Sequence, residues 1–255
     1  MSELVGELHW RARTDPAWLE SLLAGTVFPV VQGTSVTFVW RGQADQVFLR
    51  HWIFGLDSAQ AFARVEGTDL WVLGMELPAG SRVEYKLEVV QGPMRRLIQD
   101  PLNPNLAHDP FGSNSVVHAE GYGVPDWTLP DPDARRGSIE RLTVASDVFG
   151  DRRPVAVYLP ARFRRTRRYP LLVVHDGEDY LRYSSLDTVL DNLTHRLEVQ
   201  GMIVALSQSP DRMREYTDDQ RHADFLVREL VPLLEQRYPL VGKPDARALL
   251  GASLG

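Results

Sequence analysis

From Ser35 onward the first half of the chain sets apolar against polar residues in short alternating runs, at 36–40, 46–50, 70–73 and 82–89. β-branched and aromatic side chains at this period, divided by turns rich in Gly, Pro and Asp, predict a small antiparallel sandwich. Ahead of it, Asp15-Pro16, the apolar cluster around Trp18, Leu19, Leu22 and Leu23, and then Gly25 predict a short helix. Asp15 caps it, proline suits its first turn and glycine its end. A stretch dense in proline and aspartate follows the last β run. It predicts a linker over 124–137, between a domain at 1–123 and a second at 138–255.

In the second domain the rhythm becomes strand-then-helix. Residues 139–145 and 153–159 predict paired strands turning at Phe149-Gly150-Asp151. The runs 169–174, 202–206 and 246–250 are continuously apolar, which predicts strands covered on both faces. Residues 186–199 and 219–238 carry apolar side chains at helical spacing, and Pro232 should bend or interrupt the second helix. Alternation of this kind predicts a mainly parallel sheet between two helical layers.

Composition narrows the function classes. The net charge of −6 over 255 residues argues against general nucleic-acid binding, which needs a basic field. The absence of cysteine excludes thiolate catalysis, a disulfide framework and a cysteine zinc site. No cofactor and no metal are expected. No run of about 18 apolar residues is present, so no membrane span is expected. Met1 to Glu7 has neither a basic region nor an apolar one, and no signal peptide is readable. A cytoplasmic protein of two domains is expected.

The strongest chemical signal is Gly251-Ala252-Ser253-Leu254-Gly255. A G-x-S-x-G pentapeptide after a buried strand makes a tight turn that holds serine strained and exposed above the sheet. Ser253 is therefore the candidate nucleophile, with the N–H of Leu254 aimed at the developing oxyanion. The second oxyanion donor is expected from the loop His175-Asp176-Gly177-Glu178, as the N–H of Gly177 or Glu178. An ordinary turn with capping aspartates fits that loop equally well. His175 is rejected as the base, because hydrolases of this fold run Ser, then Asp or Glu, then His. All seven histidines precede Ser253. The acid and base are thus expected in sequence after Gly255, the hydrolase domain is expected to be incomplete, and the 255 residues alone are expected to show no triad-dependent turnover.

Several segments resemble the putative esterase family that includes enterochelin esterases: 168–178, Arg212-Met213-Arg214-Glu215-Tyr216, 225–235 and the elbow itself. Asp100-Pro101-Leu102-Asn103-Pro104 resembles the close of the N-terminal domain in the same enzymes. The resemblance implies an immunoglobulin-like early-set sandwich followed by a three-layer α/β-hydrolase domain. It implies hydrolysis of a small-molecule ester, a ferric catecholate siderophore, through an acyl-enzyme on Ser253, with iron released inside the cell. A carbohydrate-ester hydrolase of the feruloyl or acetyl type, and a non-catalytic sandwich binding protein, are the alternatives.

For an anionic substrate, Arg212 and Arg214 lie at the active-site end of the second domain, although an internal Arg–Glu pair pinning that loop is an equal reading. Arg162, Arg164, Arg165, Arg167 and Arg168 precede the third strand and read as a solvated group at the opposite end. Trp40, Trp52 and Trp71 could form a carbohydrate platform; at strand spacing they read as core.

Overall fold

In the computed structural model, which describes residues 3–255, the alternating runs of the first half build two antiparallel sheets. One sheet orders Val30–Gln32, Ser35–Arg41, Leu70–Glu76 and Ala63–Arg64. The other orders Ala59–Ala61, Gln46–His51, Arg82–Gln91, Gly112–His118 and Leu106–Asp109, with Met94–Ile98 also paired to Arg82–Gln91. Val36, Phe38 and Trp40 of the first sheet pack on Val47, Leu49, Tyr85 and Leu87 of the second, forming the interior of a sandwich. Val39 and Val72 face the other way and are covered by Val5, Leu8 and Leu19. Those side chains come from the helices Glu3–Thr14 and Pro16–Gly25. The second begins as its sequence predicts, with the Asp15 carboxylate accepting from the Trp18 N–H at 3.0 Å. The first goes beyond the sequence expectation. Its apolar stripe is only Val5, Leu8 and Ala12, and the sheet beneath it supplies the stability that its length does not.

The segment Asp100 to Pro104 closes this unit through a buried polar network. The Tyr85 hydroxyl donates to Asp100 Oδ2 at 2.6 Å, and Asn103 Nδ2 donates to the Tyr85 oxygen and to the Val116 carbonyl, both at 2.9 Å. With Ser115 Oγ accepting from the Asp100 N–H, the buried groups are paired, as buried polar groups must be.

The chain divides into two units, Met1–Gly123 and Val124–Gly255. In the second, a five-stranded sheet orders Ser138–Ser146, Asp151–Leu159, Ile203–Ser207, Leu171–Val174 and Arg247–Leu250. Neighbours are antiparallel among the first three strands and parallel among the last three, so the sheet is mixed rather than mainly parallel. Alternate residues feed two cores. Val155, Val157, Val173 and Ala205 pack under Phe225, Leu226, Leu230 and Leu234. Ala156, Tyr158, Val204 and Leu206 pack under Leu186 and Leu190 on the opposite face. The result is a helix–sheet–helix sandwich of three layers.

Four expectations need correction. The stretch 124–137 is not a free linker: Asn192 Nδ2 donates to the carbonyls of Trp127 and Leu129, and the Gly137 N–H donates to Asp191. The helix after Ser185 ends at His195 rather than 199, and Leu197 adopts a φ of +60°. Residues 219–238 form Gln220–Asp224, a wider π turn over Phe225–Leu230, and Val231–Arg237. The interruption falls just before Pro232, which lacks an N–H, as the sequence allowed. The last strand, expected to be buried, is exposed along its length, with Leu249 66% accessible, because it pairs only with Leu171–Val174 at one edge of the sheet.

Candidate active site

Parallel pairing decides which loops meet. Val174 is in register with both Leu206 and Leu250, so the carboxyl ends of three strands lie at one edge of the sheet. The segments that leave them, 175–178, 208–216 and 251–255, therefore gather there. This edge is where open α/β sheets bind ligands.

Ser253 has a φ of +59°, a conformation that costs a non-glycine residue energy. The turn is closed by the Gly255 N–H donating to the Ala252 carbonyl at 3.0 Å. A side chain at Gly251 would put its first carbon 2.2 Å from the Gly255 carbonyl carbon, so the bend admits only glycine at that position. At Gly255 the same carbon would stand 3.1 Å from Asp176 Oδ2 and 3.2 Å from His175 Cβ, which brings the serine turn against the 175–178 loop. The His175 N–H donates to the Leu250 carbonyl at 2.9 Å and joins the two segments directly.

The loop is itself strained and held from two sides. Asp176 has a φ of +53° and precedes the helix Gly177–Ser184. Its N–H donates to the Tyr216 hydroxyl at 3.3 Å, and its carboxylate accepts from Arg212 Nε and Nη2 at 3.2 and 3.1 Å. Gly177 sits so close to Ile203–Ser207 that a Cβ would lie 2.4 Å from Leu206 Cβ. The Glu178 N–H donates to Gln208 Oε1 at 3.2 Å, and its carboxylate pairs with Arg141. The loop that carries Gly177 thus meets the serine turn through His175 and Asp176, whereas the Glu178 N–H already has a partner.

Three side chains that the motif does not mention build the wall of this site. His175 and His222 meet Nε2 to Nε2 at 3.3 Å, and the Tyr216 ring stacks on His175 and stands edge-on to His222. Burial lowers the pKa of both imidazoles; that of His222 is pushed down to about 4 by burial and by the neighbouring His175. Burial, with Asp176 beside it, raises the Tyr216 hydroxyl to about 12. Behind them, Glu215 takes a two-pronged ion pair from Arg153 at 2.7 and 2.8 Å and a further bond from Ser209 Oγ at 2.7 Å. Burial alone would raise the Glu215 carboxyl, but the hydrogen bonds from Arg153 and Ser209 outweigh it and hold the carboxyl below its usual range. The internal arginine–glutamate pair therefore exists, and its arginine is Arg153 rather than Arg212 or Arg214. The Arg153 guanidinium lies 3.4 Å over the Phe149 ring. Arg153 shares strand parity with Val155 and Val157, so a charge on the core-facing register was its one sequence signal.

Arg214 is exposed, and its backbone N–H donates to the capping carboxylate Asp211 Oδ1 at 3.3 Å. In the arginine group before the third strand, Arg165 donates to the Arg237 carbonyl and Arg168 to the Leu240 carbonyl. These bonds fasten the end of the helix Val231–Arg237, a favourable place for cations. Trp40 and Trp71 are buried in the sandwich and cannot serve as a platform; Trp52 is 88% accessible. Among the described residues no helix is long and apolar enough to cross a membrane.

The fold is thus a β domain followed by an α/β domain of esterase type, with a serine turn at the carboxyl edge of the sheet. Residues 146–255 match the family described as putative esterase, and residues 35–127 match that described as enterochelin esterase, N-terminal. The chain is 23% identical over 284 residues to the iron(III) enterobactin esterase of Escherichia coli K12, spanning 98% of this chain and 69% of that protein. The enterobactin esterase of Shigella flexneri, crystallised in the presence of enterobactin, superposes with a TM-score of 0.71 at 22% identity, over 92% of this chain and 70% of that one. The ferric enterobactin esterase of Salmonella typhimurium gives 0.71 at 19% identity, over the same shares. At these identities the structural likeness speaks for the fold. Each unit is thus similar to its counterpart in enterochelin esterase-like members of the putative esterase family, and the protein is an esterase.

Proposed function

We propose that Ser253 is the nucleophile of a cytoplasmic carboxylic-ester hydrolase whose substrate is a small-molecule ester of the ferric catecholate type. The observation that carries this reading is the φ of +59° at Ser253, between two close-packed glycines, at the carboxyl end of a parallel strand. The iron(III) enterobactin esterase relative supports the substrate class. The N-terminal sandwich is read as an early-set immunoglobulin-like module.

In the proposed reaction the Ser253 hydroxyl gives its proton to a general base while its oxygen bonds the ester carbonyl carbon. The carbonyl oxygen becomes an oxyanion, taken by the N–H groups of Leu254 and Gly177. Collapse expels the alcohol, which receives a proton, and leaves an acyl-serine. Water then adds to that acyl carbon, releasing the acid and restoring the hydroxyl. Glu178 is a poorer donor than Gly177, since Gln208 already holds its N–H. Arg212 is assigned to positioning, because Asp176 occupies it, and Arg214 remains the exposed cation for an anionic substrate. A triad base is oriented by a carboxylate. The nitrogens of His175 and His222 face each other instead, and neither is proposed as the base.

The test is a comparison of ferric enterobactin with methyl ferulate as substrates of the full-length gene product. Faster hydrolysis of the ferric catecholate supports the proposal. Preference for the ferulate moves the substrate to the carbohydrate-ester class, and no hydrolysis of either favours a binding role for the sandwich.

A further inference from the structure

The two imidazoles beside the serine turn come from separate elements. His175 leaves the strand Leu171–Val174, and His222 lies in the helix Gln220–Asp224. Their Nε2 atoms are 3.3 Å apart and their ring planes cross at 81°. Carboxylates lie near, but each is engaged elsewhere, Asp176 by Arg212 and Glu215 by Arg153 and Ser209. The only polar partner that either ring nitrogen shows among the described residues is the other histidine.

Two nitrogens bound at 2.0–2.1 Å to one tetrahedral ion are separated by about 3.3–3.4 Å. The histidine pair already has that spacing. An ion bound to both lies to one side of the line between the two nitrogens and displaces any proton they share, so each ring presents its Nε2 lone pair to the ion. We propose that His175 and His222 form a two-nitrogen site for a divalent transition ion of the zinc, cobalt or copper class, bound through both Nε2 atoms.

The surroundings hold the donors ready. Tyr216 stacks on the His175 ring at 5.0 Å between centroids and 19° between planes, and meets the His222 ring edge-on at 4.8 Å. Its hydroxyl is tied to the Asp176 N–H. Rings fixed in this way lose little further freedom when an ion arrives. Nδ1 of His222 is buried without a hydrogen-bond partner, so a ring ligating through Nε2 keeps an unpaired N–H on its far side, a cost that makes the site a weak one. Imidazole donors select zinc, copper, cobalt or nickel over calcium or magnesium. Among the described residues no third His, Cys, Asp or Glu donor converges on the pair. Water fills the other positions, and the ion exchanges readily.

Cobalt(II) titration of the purified protein, followed by visible absorption, tests the site without reference to ester hydrolysis. One equivalent with tetrahedral-type bands, displaced by zinc, is expected. Substituting His175→Phe or His222→Phe keeps a ring against Tyr216 and should weaken binding about tenfold or more. His195→Phe, at an exposed helix end, should leave it unchanged. Circular dichroism and thermal unfolding establish that each variant is folded; where a Phe variant is not, His175→Asn or His222→Asn serves in its place. Copper(II) paramagnetic resonance should show coupling to two nitrogens. Cobalt affinity that survives both substitutions, or no binding by the folded protein at millimolar cobalt, overturns the proposal.

Discussion

The Asp176 carboxylate is held by the Arg212 guanidinium at 3.1 Å, in a residue whose own backbone sits at a φ of +53°. The ion pair and the strain belong together: the arginine fixes the loop that carries Gly177 towards the serine turn. Arg212→Ala leaves a mostly buried carboxylate without its partner and should cost about 2 kcal/mol, less than a fully buried pair because Arg212 is partly exposed. Arg212→Lys keeps the charge but loses the two-pronged geometry, and should fall between. Hydrogen exchange at the amides of Leu171–Val174 and Ile203–Ser207 reads the effect in the second unit alone.

The Arg153–Glu215 pair is buried on both sides, so removing one partner is the harsher change. Glu215→Ala should destabilise the second unit by about 3–5 kcal/mol. A double replacement, Arg153→Met with Glu215→Leu, should recover part of that loss in urea unfolding. The same pair sets a pH dependence. The folded-state pKa of Glu215 is depressed, so its contribution is fully present above the ordinary carboxylate range and is lost as pH falls through the lower folded value. Acid unfolding of Glu215→Gln should accordingly begin from a lower plateau and show a shallower slope below about pH 4.

Glycines in the second unit separate into those that cannot be changed and those that can. At Gly177 a Cβ would meet Leu206 Cβ at 2.4 Å, its Cα at 2.5 Å and its carbonyl carbon at 2.6 Å, and that strand backbone cannot yield. Gly177→Ala should cost about 3 kcal/mol or more, at or beyond the usual range for overpacking. At Gly201 the nearest atom is Pro160 Cβ at 3.4 Å, an ordinary contact. Gly201→Ala should shift the thermal midpoint little, a change within about 0.5 kcal/mol.

How much of this could be read in the sequence depended on how local the cause was. Gln46–His51 announced itself because one face is buried, which imposes period two, and Ser35–Arg41 because it is apolar and covered on both faces; Met94–Ile98 and Leu106–Asp109 did not, because they are largely exposed. The serine turn was legible because its glycines are required by contacts within five residues. The helix Gly177–Ser184 was missed: it is short and begins from a left-handed Asp176 whose side chain is diverted to Arg212 instead of capping. The His175–His222–Tyr216 cluster joins residues up to 47 positions apart, and only the tertiary pairing of strand ends brings them together. His222 does stand three and four residues before Phe225 and Leu226, on the apolar side of its helix. That placement was the available clue.

The proposal rests above all on the hydroxyl of Ser253 being the reacting group, and covalent trapping tests this most directly. The full-length gene product would be treated with a fluorophosphonate, digested, and the adduct located by mass spectrometry. The expected result is a single modification on Ser253, prevented by prior incubation with the ester substrate, and a fall in hydrolysis of at least about a thousandfold in Ser253→Ala. Modification of a different residue, or an unchanged rate in Ser253→Ala, contradicts the assignment.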